Sequence, residues 1–162
     1  MRLVLITGAR NSGKTELLRR AAADLPDCGG VCSTAQMCGG AKTRYSACSL
    51  RGGRCVPLVR LTSRGPVPFP QGFAYASAII ARNRRRKVLC VDEFGPLEAG
   101  GGGFYPALLK ARLAGPEILV LTVRKQLLPV AAAMLRFGVY KVIDLDRNCV
   151  EDALPCLLKY AA

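Results

Sequence analysis

The apolar residues of this chain gather in short unbroken runs: Leu3–Thr7, Val88–Asp92, Ile118–Val123 and Val139–Leu145, all rich in Val, Ile and Leu. Such runs do not alternate with polar residues, so both faces of each strand must be covered. Between and after them apolar residues recur at helical spacing. This predicts helices over Lys14–Asp24, Gly72–Arg84, Tyr105–Ala114, Gln126–Phe137 and Val150–Lys159. Buried strands alternating with helices define an α/β architecture, a mostly parallel sheet with helices on both faces. A weaker strand is expected at Gly30–Thr34.

One stretch breaks the alternation. Thr43–Leu50 and Arg54–Leu61 flank Gly52-Gly53, and paired glycines supply the positive φ of a tight two-residue turn. The expectation is an inserted β-hairpin over about 43–61 with Leu50 opposite Cys55. Ser63–Gln71 carries three prolines and reads as a connector. No repeat or boundary divides the chain, so a single domain over residues 1–162 is expected.

Composition narrows the class. The chain has 162 residues, 51% of them hydrophobic and 22% charged, which excludes a disordered polymer. No run approaches the ~18 apolar residues of a membrane span, and the first apolar run is too short for a signal-peptide core. A cytoplasmic protein is expected. Twenty-four basic residues face eleven acidic ones, a net charge of +13. Such a field attracts polyanions without choosing among them. The absence of His removes the usual neutral-pH base and the commonest metal ligand. The eight cysteines lack paired C-x2-C spacing, so free thiols are expected, with no zinc or iron centre and no disulfide framework.

Gly8-Ala9-Arg10-Asn11-Ser12-Gly13-Lys14-Thr15 matches G-x-x-x-x-G-K-[ST], directly after a strand and before a helix. Gly8 and Gly13 let the backbone curl so that successive N–H groups face phosphate oxygens, and the following helix adds its positive dipole end. Lys14 is the candidate for the β- and γ-phosphates, and the Thr15 hydroxyl the candidate for Mg²⁺. Such a loop calls for a second element, an apolar strand ending in acid, and Val88–Asp92 supplies it. Asp92 is the second Mg²⁺ candidate. Glu93 is placed to orient and polarise an attacking water. Together these make a P-loop NTPase fold with a nucleoside triphosphate as ligand.

The two motifs, Gly8–Thr15 and Val91-Asp92-Glu93-Phe94-Gly95-Pro96-Leu97-Glu98, resemble those of the small nucleoside-triphosphatases first described from thermophiles, which have human relatives. The likeness extends to Phe104, the Tyr45–Arg60 region and Asn148. It implies Mg²⁺-dependent hydrolysis of nucleoside triphosphates with broad base tolerance. Two stretches depart from the family pattern. Where an acidic segment resembling F-Y-T-E-E-V-R would follow Gly30, the chain has Val31-Cys32-Ser33-Thr34-Ala35-Gln36-Met37. After Glu98, Gly100–Gly103 replaces a helical start and reads as a floppy connector. Glu98 matches the family's second glutamate, which supports Glu93 or a water; a carboxylate at a helix start is the other reading.

Further candidates follow from sheet geometry, because ligands of such sheets sit at the carboxyl ends of the strands. Arg124 follows Ile118–Val123 and is a candidate to face the γ-phosphate. Arg147 and Asn148 follow the last strand and are candidates for the nucleobase. Arg10 lies inside the phosphate loop. The basic run Arg82–Lys87 falls at the opposite edge, where a solvated helix end with weak, salt-sensitive nucleic-acid binding is expected. Two other functions remain open: a nucleotide or small-molecule kinase, and a slowly hydrolysing regulatory module with a protein partner. The adjacent acids Asp92 and Glu93 favour water as acceptor over a kinase.

Overall fold

The structure is a computed structural model that describes residues 1–161; Ala162, at the end of the expected domain, lies outside the described residues. The strands are β1 (Arg2–Thr7), β2 (Cys28–Cys38), β3 (Ala41–Ser49), β4 (Cys55–Thr62), β5 (Gly65–Pro68), β6 (Val88–Phe94), β7 (Ile118–Val123) and β8 (Lys141–Asp144). The helices are α1 (Lys14–Asp24), α2 (Pro70–Asn83), α3 (Pro96–Ala99), α4 (Tyr105–Ala114), α5 (Leu128–Met134) and α6 (Val150–Ala161). All eight strands join one sheet in the order β5-β4-β3-β2-β6-β7-β1-β8. β2, β6, β7, β1 and β8 run parallel; β3, β4 and β5 extend the sheet antiparallel from β2.

β1 shows why its run is continuously apolar. Leu3 and Leu5 enter a core with α2, α4 and α5, whereas Val4 and Ile6 enter a second core with α1 and α6. Successive side chains point to opposite faces, and helices cover both. Each buried Leu, Ile or Val here contributes roughly 1.5–3 kcal/mol relative to exposure.

The antiparallel extension differs from expectation. β2 runs far beyond Gly30–Thr34, and its tight turn is Gly39-Gly40, with φ of 55° and 78° and Cys38 opposite Ala41. Gly52-Gly53 lies instead in a wider loop, and Cys48, not Leu50, stands opposite Cys55. That register brings the two Cα atoms to 4.4 Å, and the cysteines form a disulfide, correcting the reading of all eight as free thiols. The proline-rich connector also contributes a strand: β5 pairs with β4 at the sheet edge, where proline's missing N–H costs no ladder bond. Gly100–Gly103 is a closed turn rather than a floppy connector. Gly100 N–H donates to the Pro96 carbonyl at 3.0 Å, and Gly102 N–H to the Leu97 carbonyl at 2.9 Å.

Candidate active site

The loop between β1 and α1 wraps tightly. Gly8 (φ 145°), Asn11 (φ 68°) and Gly13 (φ 93°) take positive φ. A Cβ on Gly8 would lie 2.6 Å from Ser12 Oγ, and one on Gly13 2.6 Å from Val150 Cγ2, so both positions require glycine for space as well as for φ. The Lys14 ammonium folds back, donating to the carbonyls of Gly8 (2.9 Å) and Ala9 (2.6 Å). Burial pushes it below the usual lysine range, against the opposing pull of Asp92, Glu93 and Asp146.

β6 ends beside this loop. Asp92 is buried and accepts three hydrogen bonds: from Thr15 Oγ1 (2.8 Å), Thr122 Oγ1 (2.6 Å) and the Ser33 N–H (3.0 Å). Burial raises its pKa, and the three donors partly offset that rise. In a regular strand Asp92 and Glu93 would project to opposite faces. Here the register slips between Val91 and Phe94, and Glu93 takes φ 67°. The irregularity brings both carboxylates to one residue, since Ser33 Oγ donates to Glu93 Oε2 at 3.3 Å while the Ser33 amide binds Asp92. A non-glycine residue with positive φ stores on the order of 1–3 kcal/mol. The Glu93 N–H bond to Thr122 Oγ1, 2.7 Å, holds it there.

Thr122 and Ser33 are site residues that the sequence reading missed. Thr122 is buried, donates to Asp92 and accepts from Glu93, so one hydroxyl sets both acids. A lone polar residue inside the apolar run Ile118–Val123 was the available signal. Ser33 falls in the stretch that departs from the family pattern. Asp146, in the same loop as Arg147 and Asn148, accepts from the Ala9 N–H at 2.6 Å and ties the loop after β8 to the phosphate loop.

Arg124 reaches Glu93, its Nη2 standing 3.4 Å from Oε1. Arg147 is largely exposed, 3.9 Å from Asp144, and Asn148 Nδ2 donates to the Asp144 carbonyl at 2.9 Å. Both lie in the loop that Asp146 fastens to Ala9. Arg10 Nη2 donates to the Tyr45 hydroxyl at 3.4 Å, and Lys42 donates to Asn11 Oδ1, so the β2–β3 hairpin leans on the phosphate loop. Glu98 is buried and accepts from the Gly95 N–H at 3.0 Å and the Phe104 N–H at 3.4 Å, closing the start of α3, which is the helix-start role. Burial raises the pKa of Glu98, and the charge of Glu93 adds to that rise. Gly103 makes room for the Glu98 side chain, as a Cβ there would sit 2.0 Å from Glu98 Oε1.

Known proteins share this fold. Two solved structures match nearly end to end at 19% identity. A solution structure of a human cancer-related nucleoside triphosphatase has a TM-score of 0.72 and covers 98% of both chains. The crystal structure of THEP1 from the hyperthermophile Aquifex aeolicus has a TM-score of 0.73, covering 96% of this chain and 98% of its own. At that identity the likeness establishes the fold. No curated protein matches the chain. The NTPase family model matches residues 3–154, nearly the whole chain, and the chain therefore belongs to the NTPase family.

Proposed function

We propose that the protein hydrolyses nucleoside triphosphates to diphosphate and phosphate, with Mg²⁺ as cofactor and water as acceptor. One observation carries the reading. Thr15, at the start of α1, and Asp92, at the end of β6, share a 2.8 Å hydrogen bond, and Glu93 stands on the same side of the strand. The hydroxyl and the carboxylate are hard oxygen donors suited to Mg²⁺, and Thr15 and Asp92 would hold it. When bound, the ion neutralises charge on the β- and γ-phosphate oxygens.

The chain's own residues do the rest. The amides of Gly8–Thr15 and the Lys14 ammonium bind the phosphates. Glu93 orients the attacking water and receives its proton as the γ-phosphoryl leaves. Arg124, held at Glu93, faces the γ-phosphate and balances its developing charge. Arg147, largely exposed, stacks on the nucleobase, and the Asn148 side-chain oxygen meets its edge. Three donors fix the orientation of the buried Asp92 carboxylate, which would hold the ion through water.

The test is phosphate release from ATP, GTP, CTP and UTP with and without Mg²⁺, by wild type and Lys14→Ala. Mg²⁺-dependent release by wild type that Lys14→Ala abolishes supports the reading. Transfer to an added nucleoside monophosphate in preference to water would replace it with a kinase.

A further inference from the structure

The end of the sheet opposite the phosphate loop has its own cavity, of about 510 Å³, lined by Arg54, Tyr75, Arg82 and Arg86 together with Gly52-Gly53. Its parts come from two stretches remote in sequence: the β3–β4 loop, and α2 with the turn that follows it into β6. The loop side is fastened. Arg51 donates to the carbonyls of Cys28 (2.6 Å), Pro26 (2.9 Å) and Leu25 (3.1 Å), and the Cys48–Cys55 disulfide closes the loop's base. The Tyr75 hydroxyl donates to the Arg54 carbonyl at 2.8 Å, and the Arg54 guanidinium lies over the Tyr75 ring, 5.3 Å from its centre.

The charge at this end is only partly compensated. Of the eleven acidic side chains, Asp24, Asp27 and Glu117 lie at the amino ends of the strands. Asp27 pairs with Arg86 at 3.1 Å. Arg54 has an aromatic ring and no carboxylate, and Arg82, Arg84 and Arg85 have no hydrogen-bond or ion-pair partner among the described residues. Arg54 and Arg82, gathered in one concavity without a carboxylate partner, repel one another, a cost that an anionic ligand removes.

We propose that this cavity binds single-stranded nucleic acid through its phosphates. The cavity exceeds the size of one phosphate, and Arg54 on the loop and Arg82 on α2 stand on different walls. That is a track for a chain of phosphates, not a point for one anion. A flexible strand can bend a nucleotide into a concavity, whereas a duplex presents a convex backbone. The planar forks of Arg54, Arg82 and Arg86 suit phosphate oxygens. This assignment goes beyond the solvated helix end expected from the run Arg82–Lys87, because the β3–β4 loop turns that run into one wall of a cavity. It also stands independently of the hydrolytic reading, whose residues lie at the other end of the sheet.

The test is fluorescence anisotropy of an oligothymidylate of about 12 nucleotides, labelled at its 5′ end, over a range of salt. Wild type should bind it. Arg54→Gln/Arg82→Gln should weaken binding ~10-fold or more at low salt and shallow the salt dependence by about 1.4 in log–log slope, two phosphates' worth for a single strand. Arg64→Gln/Lys110→Gln removes the same charge elsewhere and should stay close to wild type. Phosphate release from ATP should be equal in all three proteins. Since the Arg82 side chain is exposed and has no hydrogen-bond or ion-pair partner among the described residues, Arg82→Gln alone should keep the fold and still weaken binding. The proposal is overturned if wild type does not bind, if both double variants weaken alike, or if Arg82→Gln binds like wild type. It is equally overturned if inorganic tripolyphosphate displaces the strand at lower concentration than unlabelled oligothymidylate, which would make the site one for a small oligophosphate.

Discussion

At the carboxyl ends of the strands, the cations near the phosphate loop have oxygen partners: Lys14 the Gly8 and Ala9 carbonyls, Arg124 the carboxylate of Glu93, Lys125 that of Asp144 at 3.0 Å. At the amino ends Arg51 and Arg86 have oxygen partners too, but Arg82, Arg84 and Arg85 have none among the described residues. Both ends attract phosphate, yet they are built for different work. Where cations and carboxylates interleave, small movements redistribute charge, and a water can be deprotonated beside the phosphate it attacks. Where guanidiniums stand alone, the field only attracts. The same polypeptide thus separates a site suited to chemistry from one suited to adhesion, about one sheet length apart.

The sharpest way to break this contrast is to remove the carboxylate that distinguishes the chemical end. Glu93→Gln should cut single-turnover phosphate release by ~10²–10⁴-fold while nucleotide affinity by titration holds. Full-rate hydrolysis by this variant would leave the two ends without their difference. The next effect concerns how the acids are held. Thr122→Val leaves Asp92 short of a donor and the Glu93 N–H without an acceptor, each worth about 1–3 kcal/mol. kcat should fall roughly 10- to 100-fold, KM much less, and Thr122→Ser should recover most of the loss. Equal loss in the Ser variant would mean that the methyl group, not the hydroxyl, matters.

Smaller effects sharpen the contrast from the other side. Cys48→Ser/Cys55→Ser should lower stability by about 2 kcal/mol, the chain-entropy value for so short a loop. Because the disulfide fastens the amino-end loop, hydrolysis at temperatures where the variant stays folded should not change, whereas oligonucleotide affinity should drop. The smallest expected shift is in stability against pH. Folding raises the Asp92 pKa through burial, so the ionised group costs stability above its folded pKa and nothing below its unfolded one. Asp92→Asn should therefore melt somewhat higher than wild type near neutrality. That advantage should shrink as pH falls into the carboxylate range, as thermal melts at stepped pH can show. An advantage growing toward acid would reverse the sign and the argument.

The family, the parallel sheet and the two phosphate-site motifs were legible in the residues because each depends on local rules. Continuous Val/Ile/Leu runs need two covered faces, and G-x-x-x-x-G-K-T after a strand has few other uses. α1 and α4 take the boundaries that periodicity marks, Lys14–Asp24 and Tyr105–Ala114. What sequence left undecided were matters of pairing. The antiparallel region offers two Gly-Gly dipeptides, Gly39-Gly40 and Gly52-Gly53, with equal claim to a tight turn. Only the sheet chooses Gly39-Gly40, because that register seats Val31, Cys32 and Ala47 in the covered part of the sheet and leaves the exposed end of β2 leaning on the phosphate loop. The disulfide follows from that choice, since no spacing rule brings Cys48 and Cys55 together until β3 and β4 are in register. Thr122 and Ser33 looked like ordinary strand residues. Their importance arises from a slip in β6 that turns Glu93 toward Asp92, and a backbone irregularity of one or two residues leaves no periodic trace. The basic run Arg82–Lys87 is a solvated tail by sequence and one wall of a cavity in the fold, because concavity belongs to segments that meet, here thirty residues apart along the chain.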